Sequence, residues 1–158
     1  MIFFLKHHPE SILLLVGDGS GRAAIRRKIN RLGISSHVCF TGSRGDVPDL
    51  LQAMDVFVFP SHYEGLGISI VEAQAAGLPC LISDTIPTEC IVTKHLVVRY
   101  DLKKPPDAWA EKITSLLHLP RKDRTDEIRQ AGYDLAQAAE KLETFYAEAK
   151  RRNRSWLF

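Results

Sequence analysis

Short apolar runs alternate with segments of helical periodicity along most of this chain, and this alternation restricts the fold more than any other feature of the sequence. The runs occupy residues 12–16, 37–40, 55–59, 78–82 and 96–98, and helices are predicted between them. Further helices are predicted over 107–117 and 124–150, with a break near Gly132. Strands that alternate with helices form βαβ units around a mainly parallel sheet. The sequence therefore predicts an α/β, Rossmann-like fold with helices on both faces of the sheet.

The length and charge of the chain suit one ordinary globular domain. With 158 residues, we predict a single domain over residues 1–158, with C-terminal helices from about 107 to 150. The formal net charge of +2 gives no general attraction to nucleic acid, so no nucleic-acid partner is expected. The apolar run at residues 1–5 is short and has no basic leader. We therefore expect neither a signal peptide nor a membrane span, and a cytoplasmic protein.

The cysteines and histidines have no spacing typical of a metal site. The three cysteines include no CxxC pair, and the six histidines fit no zinc motif. Cys39 and Cys80 lie in apolar runs, where small core residues are common. We therefore expect reduced structural thiols, no protein-bound metal and no cofactor.

The most informative stretch covers residues 60–79, where a strand is followed by a glycine-rich turn and a helix. The loop holds Glu64, and the first turns of the helix hold Glu72. Gly65 and Gly67 allow a ligand to approach the backbone, and free N–H groups at a helix start favour an anion or hydroxyl groups. A carboxylate accepts hydrogen bonds from neighbouring hydroxyls, so this pair suits a sugar-like ligand. The loops at the carboxyl ends of parallel strands line the binding crevice of such folds.

This stretch, PSxxEGxG followed by EAxAxGxP, resembles the motif of retaining GT-B glycosyltransferases of the family-four type. The resemblance runs from about residue 12 to residue 98 and includes the segments 15–19, 40–42 and 55–61. The sequences of residues 44–55 and 72–79 are similar to those of bacterial exopolysaccharide and capsule transferases. The resemblance implies that this chain is the C-terminal, donor-binding domain of a two-domain enzyme, which transfers a sugar from a nucleotide-sugar donor with retention at the anomeric carbon. UDP is the nucleotide that the resemblance favours.

The resemblance also implies a role for eight residues at a donor site. Glu64 would act as the catalytic residue, as a clamp on the donor sugar and an electrostatic partner of an oxocarbenium-like transition state. Glu72 would hold the ribose hydroxyls of the nucleotide. The others would contact or border the donor: Gly65, Leu66, Gly67, Thr41, Gly42 and Gly17.

The turn at residues 17–21 also invites comparison with dinucleotide-binding sites. Its third glycine comes one position too early for that motif, and no acidic residue lies about twenty positions further on. NAD binding is therefore disfavoured.

The chain departs from the resembling family in what precedes the first apolar run. The family places a first strand there, an arginine and a lysine that grip the donor diphosphate, and an N-terminal acceptor-binding domain. With that strand missing, the sheet closes the gap, accepts a substitute strand or exposes two edges. We expect the isolated chain to be inactive and to need the N-terminal domain as its partner. Two alternatives remain, a non-catalytic nucleotide-sugar-binding module and a GT-B nucleotide-sugar epimerase; a second Rossmann domain encoded directly upstream would favour the transferase.

The C-terminal helix carries an apolar face that a second domain would cover in the resembling enzymes. Three interpretations of this end are open. The four basic residues within 150–154 form a solvated helix end, or they contact an anionic membrane together with Trp156, Leu157 and Phe158, or the apolar face mediates self-association. Membrane contact would suit a lipid-linked acceptor and a peripheral position at the inner face of the membrane. The apolar face consists of Leu142, Phe145, Tyr146 and Ala149.

Overall fold

The computed structural model describes the backbone of residues 1–154 and the side chains of residues 1–152. Strands and helices alternate along this part of the chain, as the sequence predicts. The strands are β1 (Leu13–Val16), β2 (Val38–Gly42), β3 (Phe57–Phe59), β4 (Cys80–Ser83) and β5 (Val97–Tyr100). The helices are α1 (Ile2–Leu5), α2 (Arg22–Arg31), α3 (Val47–Gln52), α4 (Ile68–Ala75), α5 (Pro106–Leu116), α6 (Thr125–Gln130) and α7 (Leu135–Arg154).

The strands form two parallel sheets. Strand β1 pairs with β2, and β4 lies between β3 and β5. Within residues 1–154, β1 pairs only with β2 and β3 only with β4, so each has one edge that no strand covers. Of the three arrangements named above, the described residues show the one in which β1 and β3 each keep an unpaired strand edge.

Strand β4 is the centre of the core. All four of its side chains are buried, and successive side chains of a strand point to opposite faces, so both faces of this sheet are covered. Helices α4 and α5 both contact β4. The α/β, Rossmann-like fold with helices on both faces is therefore confirmed. The main hydrophobic cluster includes Leu51, Ile70, Val71, Ala73, Leu78, Cys80, Ile82, Ile86 and Cys90.

The two-stranded sheet is covered less well than its sequence predicts. The periodicity of α2 predicts one buried face with Ile25, Ile29 and Leu32, but only Ile29 is buried, at 7% exposed; Ile25 and Leu32 are 45% and 42% exposed. Val16 in the first strand is 37% exposed, and Cys39 is exposed rather than a core residue. The physical reason is the width of the sheet, because two strands offer little apolar surface for a helix to cover.

Arg121 joins the C-terminal ends of α3 and α4. Its guanidinium donates hydrogen bonds to the carbonyls of Leu51, Gln52 and Met54, each at 2.8 Å, and to that of Ala76 at 3.1 Å. Carbonyls in the last turn of a helix have no partner within the helix, so a cation there completes their hydrogen bonding. This arginine fixes the helix that carries Glu72 to its neighbour.

The C-terminal helices follow the prediction, including the break between α6 and α7 at Gly132, where φ is +92°. On α7, Leu142, Phe145 and Tyr146 are between 55% and 63% exposed. The described part of the chain has no helix with the length and apolar character needed to cross a membrane. The predicted membrane contact of Trp156, Leu157 and Phe158 lies outside the described residues.

Candidate functional site

The loop at residues 60–67 connects the carboxyl end of β3 to α4, and its first residues are tied to β4. The carbonyl of Ser61 accepts hydrogen bonds from the hydroxyls of Ser83 and Thr85, the second at 3.0 Å. The hydroxyl of Ser61 donates to the carbonyl of Tyr63 at 2.9 Å. The segment that leads to Glu64 is therefore anchored to the end of the central strand.

The other end of this loop is fixed by Gly67, which begins α4 with φ +73°. Only glycine adopts this left-handed conformation readily. A Cβ atom here would lie 3.0 Å from Cδ1 of Ile70 and 3.6 Å from Sγ of Cys90. Both the backbone angle and the tight packing therefore require glycine. Gly65 is different, because a Cβ there would meet no other atom within 4 Å.

Gln74 holds the segment 90–93, whose first residue, Cys90, packs beside Gly67. The sequence analysis did not identify this role of Gln74. Its side chain is fully buried, and its amide nitrogen donates to the carbonyl of Cys90 at 2.7 Å. Its amide oxygen accepts from the backbone N–H groups of Val92 at 2.9 Å and Thr93 at 2.8 Å. The sequence held a signal, because Gln74 is a polar residue four positions after Ile70, on the inner face of α4.

Burial raises the pKa of the Cys90 thiol, and the negative charges of Glu89 and Glu64 add to this rise. The thiol therefore stays protonated and donates to the carbonyl of Pro87 at 3.2 Å. Cys90 acts here as a packing residue beside the loop and not as a nucleophile.

Glu64 and Glu72 lie where the motif predicts, on the loop after β3 and one turn into α4. Glu64 is half-buried, and Glu72 is exposed between the buried neighbours Val71 and Ala73. Neither carboxylate accepts a hydrogen bond or forms an ion pair with another residue in the described part of the chain. Both are therefore free to accept hydrogen bonds from a ligand, while their roles stay predictions.

The remaining predicted site residues meet at the carboxyl ends of β1 and β2. The N–H of Gly17 donates to the carbonyl of Gly42 at 2.9 Å. The hydroxyl of Thr41 lies 3.3 Å from the carbonyl of Leu15 and 3.1 Å from that of Gly42. The structure thus brings Gly17, Thr41 and Gly42 together on one sheet, and residues 64–67 and Glu72 together beside the other.

The turn after Gly17 is ordered by Asp18. Its carboxylate accepts from the N–H of Gly19 at 2.8 Å and from the guanidinium of Arg22 at 2.9 Å. The backbone hydrogen bond first, and then Arg22, hold the pKa of Asp18 below its usual range. Asp18 is therefore ionised at neutral pH and braces the start of α2.

The segment that holds both glutamates is strongly acidic. Residues 46–98 contain seven carboxylates and one lysine, Lys94, which gives a net charge of −6. The carboxylates are Asp46, Asp49, Asp55, Glu64, Glu72, Asp84 and Glu89. Such a segment can bind hydroxyl groups well, and Lys94 is the one cation that it offers to a diphosphate.

Comparison with known proteins relates this chain to sugar-transferring enzymes. The model of the family described as glycosyl transferases group 1 matches residues 4–135. EpsF of Bacillus subtilis is 39% identical over 128 residues, which are 79% of this chain and 33% of EpsF. The Escherichia coli UDP-Gal:alpha-D-GlcNAc-diphosphoundecaprenol alpha-1,3-galactosyltransferase is 36% identical over 85 residues, 53% of this chain and 22% of that enzyme.

Solved structures share the fold. The crystal structure of HepE from Anabaena in complex with UDP superposes with a TM-score of 0.66 at 21% identity, over 93% of this chain and 45% of HepE. The chain thus spans a third or less of the two curated relatives and under half of HepE.

Proposed function

Since this chain belongs to the glycosyl transferases group 1 family, we propose that it is the donor-binding part of a retaining glycosyltransferase. The donor is a nucleotide-sugar, with UDP as the nucleotide, and the acceptor is a growing polysaccharide or a lipid-linked sugar. Two of the similar proteins support these choices. HepE was crystallised with UDP, which supports the nucleotide. The E. coli relative is a UDP-Gal transferase that acts on a diphosphoundecaprenol-linked sugar, which supports both the nucleotide and the acceptor. The proposal gives no role to a protein-bound metal or cofactor.

The observation that carries this proposal is the pair of unpaired carboxylates beside a rigid turn. Glu64 and Glu72 belong to one loop-and-helix unit, whose loop is fixed near its start by Ser61 and at its end by Gly67. Rigid placement matters, because a loop that must be ordered on binding loses affinity. We assign Glu64 to hydroxyls of the donor sugar and Glu72 to the ribose hydroxyls.

In the proposed reaction, the bond between the anomeric carbon and the diphosphate oxygen breaks, and the nucleoside diphosphate leaves. The acceptor hydroxyl loses its proton to the departing diphosphate oxygen, and its own oxygen bonds to the anomeric carbon on the same face. Positive charge develops on the sugar ring as the first bond breaks. A carboxylate at Glu64 stabilises that charge more than the neutral ground state, which is how an electrostatic partner lowers a barrier.

We predict that Glu72→Gln weakens the binding of UDP about tenfold, because the neutral amide accepts weaker hydrogen bonds from ribose hydroxyls, at a cost of about 1.4 kcal/mol. Glu64→Gln should leave UDP binding unchanged and weaken only the binding of a UDP-sugar. Isothermal titration calorimetry of both ligands with both variants measures this difference.

Glu111→Gln is the matched control, because Glu111 is an exposed glutamate on α5 and is not part of the loop or of α4. It should bind both ligands as the parent chain does. Equal losses for UDP and UDP-sugar in the Glu64 variant would contradict the separate roles of the two glutamates.

We also predict that the purified chain binds a UDP-sugar weakly and transfers no sugar. The segment 46–98, which holds both glutamates, offers only Lys94 to compensate the diphosphate charge, and a transition state with a departing diphosphate needs strong compensation. Incubation with a radiolabelled UDP-sugar and lipid-linked or polysaccharide acceptors measures transfer. Transfer by this chain alone would refute the need for a second domain.

A further inference from the structure

Helix α2 is strongly basic. Its ten residues include five cationic side chains and no acidic one. Arg22 is engaged with Asp18, and the guanidiniums of Arg22 and Arg26 lie over the ring of Phe40, 5.6 and 5.3 Å from its centroid. The other three cations, Arg27, Lys28 and Arg31, are exposed and have no ion pair with a described residue.

Two aliphatic side chains border these free cations. Ile25, Lys28 and Leu32 are spaced by three and four residues and form one row of the helix, and Arg27 and Arg31 lie beside it. Ile25 is 45% exposed and Leu32 42%. We call this surface the α2 basic face, which consists of Ile25, Arg27, Lys28, Arg31 and Leu32.

We propose that the α2 basic face docks on an anionic lipid bilayer. Cations bordered by exposed aliphatic side chains match the interface of such a bilayer, where headgroup phosphates lie next to acyl chains. A soluble polyanion or a nucleic acid would use the cations but gain nothing from Ile25 and Leu32. The proposal goes beyond the transferase function, because docking needs neither donor nor acceptor.

The distribution of charge along the chain supports one orientation on the bilayer. Residues 1–45 have seven cationic side chains and two carboxylates, a net charge of +5, whereas residues 46–98 have a net charge of −6. An anionic surface therefore attracts the segment that contains α2 more strongly than the segment that holds both glutamates. Since α2 begins just after the turn at the carboxyl end of β1, docking holds the rim of the candidate donor site near the membrane.

The test uses the purified 158-residue chain and large vesicles of phosphatidylcholine with or without phosphatidylglycerol. Co-sedimentation should show binding only to the anionic vesicles, weakened by salt. The double variant Arg27→Ala, Arg31→Ala should lower the partition coefficient about thirtyfold, since each cation near the surface contributes about fivefold. Circular dichroism checks that α2 remains folded, which is expected because alanine favours helix.

The matched control is Lys103→Ala, Lys104→Ala, which removes the same net charge from exposed residues after β5. This control should bind anionic vesicles as the parent chain does. Adding Ile25→Ser to the Arg27→Ala, Arg31→Ala variant should weaken vesicle binding below that of the double variant. The proposal is overturned if the α2 double variant and the control double variant lose vesicle binding equally. It is overturned as well if a chain ending at Ala149 loses vesicle binding while the α2 double variant keeps that binding. It is also overturned if the chain ignores vesicles but binds a single-stranded oligonucleotide through Arg27 and Arg31.

Discussion

Replacing Gln74 with leucine should lower the free energy of unfolding by about 4 kcal/mol, because three buried or half-buried backbone groups lose their partners at about 1–3 kcal/mol each. Those groups are the carbonyl of Cys90 and the N–H groups of Val92 and Thr93. The bond to the carbonyl of Ile70 matters less, since that carbonyl keeps its partner within the helix. Urea unfolding should show a lower midpoint with an unchanged slope.

The matched control is Gln137→Leu, because Gln137 is an exposed residue of α7. Its effect should stay within about 0.5 kcal/mol. The Gln74 variant should also exchange the amide hydrogens of residues 92 and 93 much faster, since those amides have lost their acceptor. If Gln74→Leu unfolds at the same urea concentration as the parent chain, the Gln74 side chain does not stabilise the segment 90–93.

The order of strands and helices could be predicted from sequence because strands of a parallel sheet are buried on both faces and appear as continuous apolar runs. The run at 78–82 covers most of β4, and the glycines at 67 and 77 of the motif flank α4. Burial in the first sheet could not be predicted. Whether Ile25, Leu32 or Cys39 is covered depends on neighbouring strands and helices, which local periodicity does not encode.

The candidate site also has features that could be predicted from sequence and features that could not. Glu64 and Glu72 could be located from the spacing of the motif, because both lie within one loop and helix that local sequence determines. The role of Gln74 depends on partners 16 to 19 residues further along the chain. The links from Ser83 and Thr85 to Ser61 span 22 and 24 residues. Such contacts require the folded arrangement of two strands, which the sequence pattern alone does not specify.

Gly77 closes the same motif, and Gly77→Ala should destabilise the chain by more than about 4 kcal/mol, enough to leave much of it unfolded. Gly77 has φ +70°, which costs about 1–2 kcal/mol for any residue with a Cβ. The added Cβ would also lie 2.0 Å from the carbonyl oxygen of Lys122 and 2.7 Å from its carbon. The yield of soluble protein and its thermal unfolding midpoint measure this loss.

The clash cannot be relieved by turning a side chain, because the opposing atoms are backbone. Moving Lys122 away would also pull on Arg121, whose guanidinium holds the last carbonyls of α3 and α4. Gly33→Ala separates the two causes, because Gly33 has φ +67° and open space where its Cβ would be. That variant should lose only about 1–2 kcal/mol, the cost of the left-handed backbone. If the two variants lose equal stability, the contact with residue 122 adds nothing; a larger loss at Gly77 means that packing at the end of α4 explains this glycine of the motif without any contact to the donor.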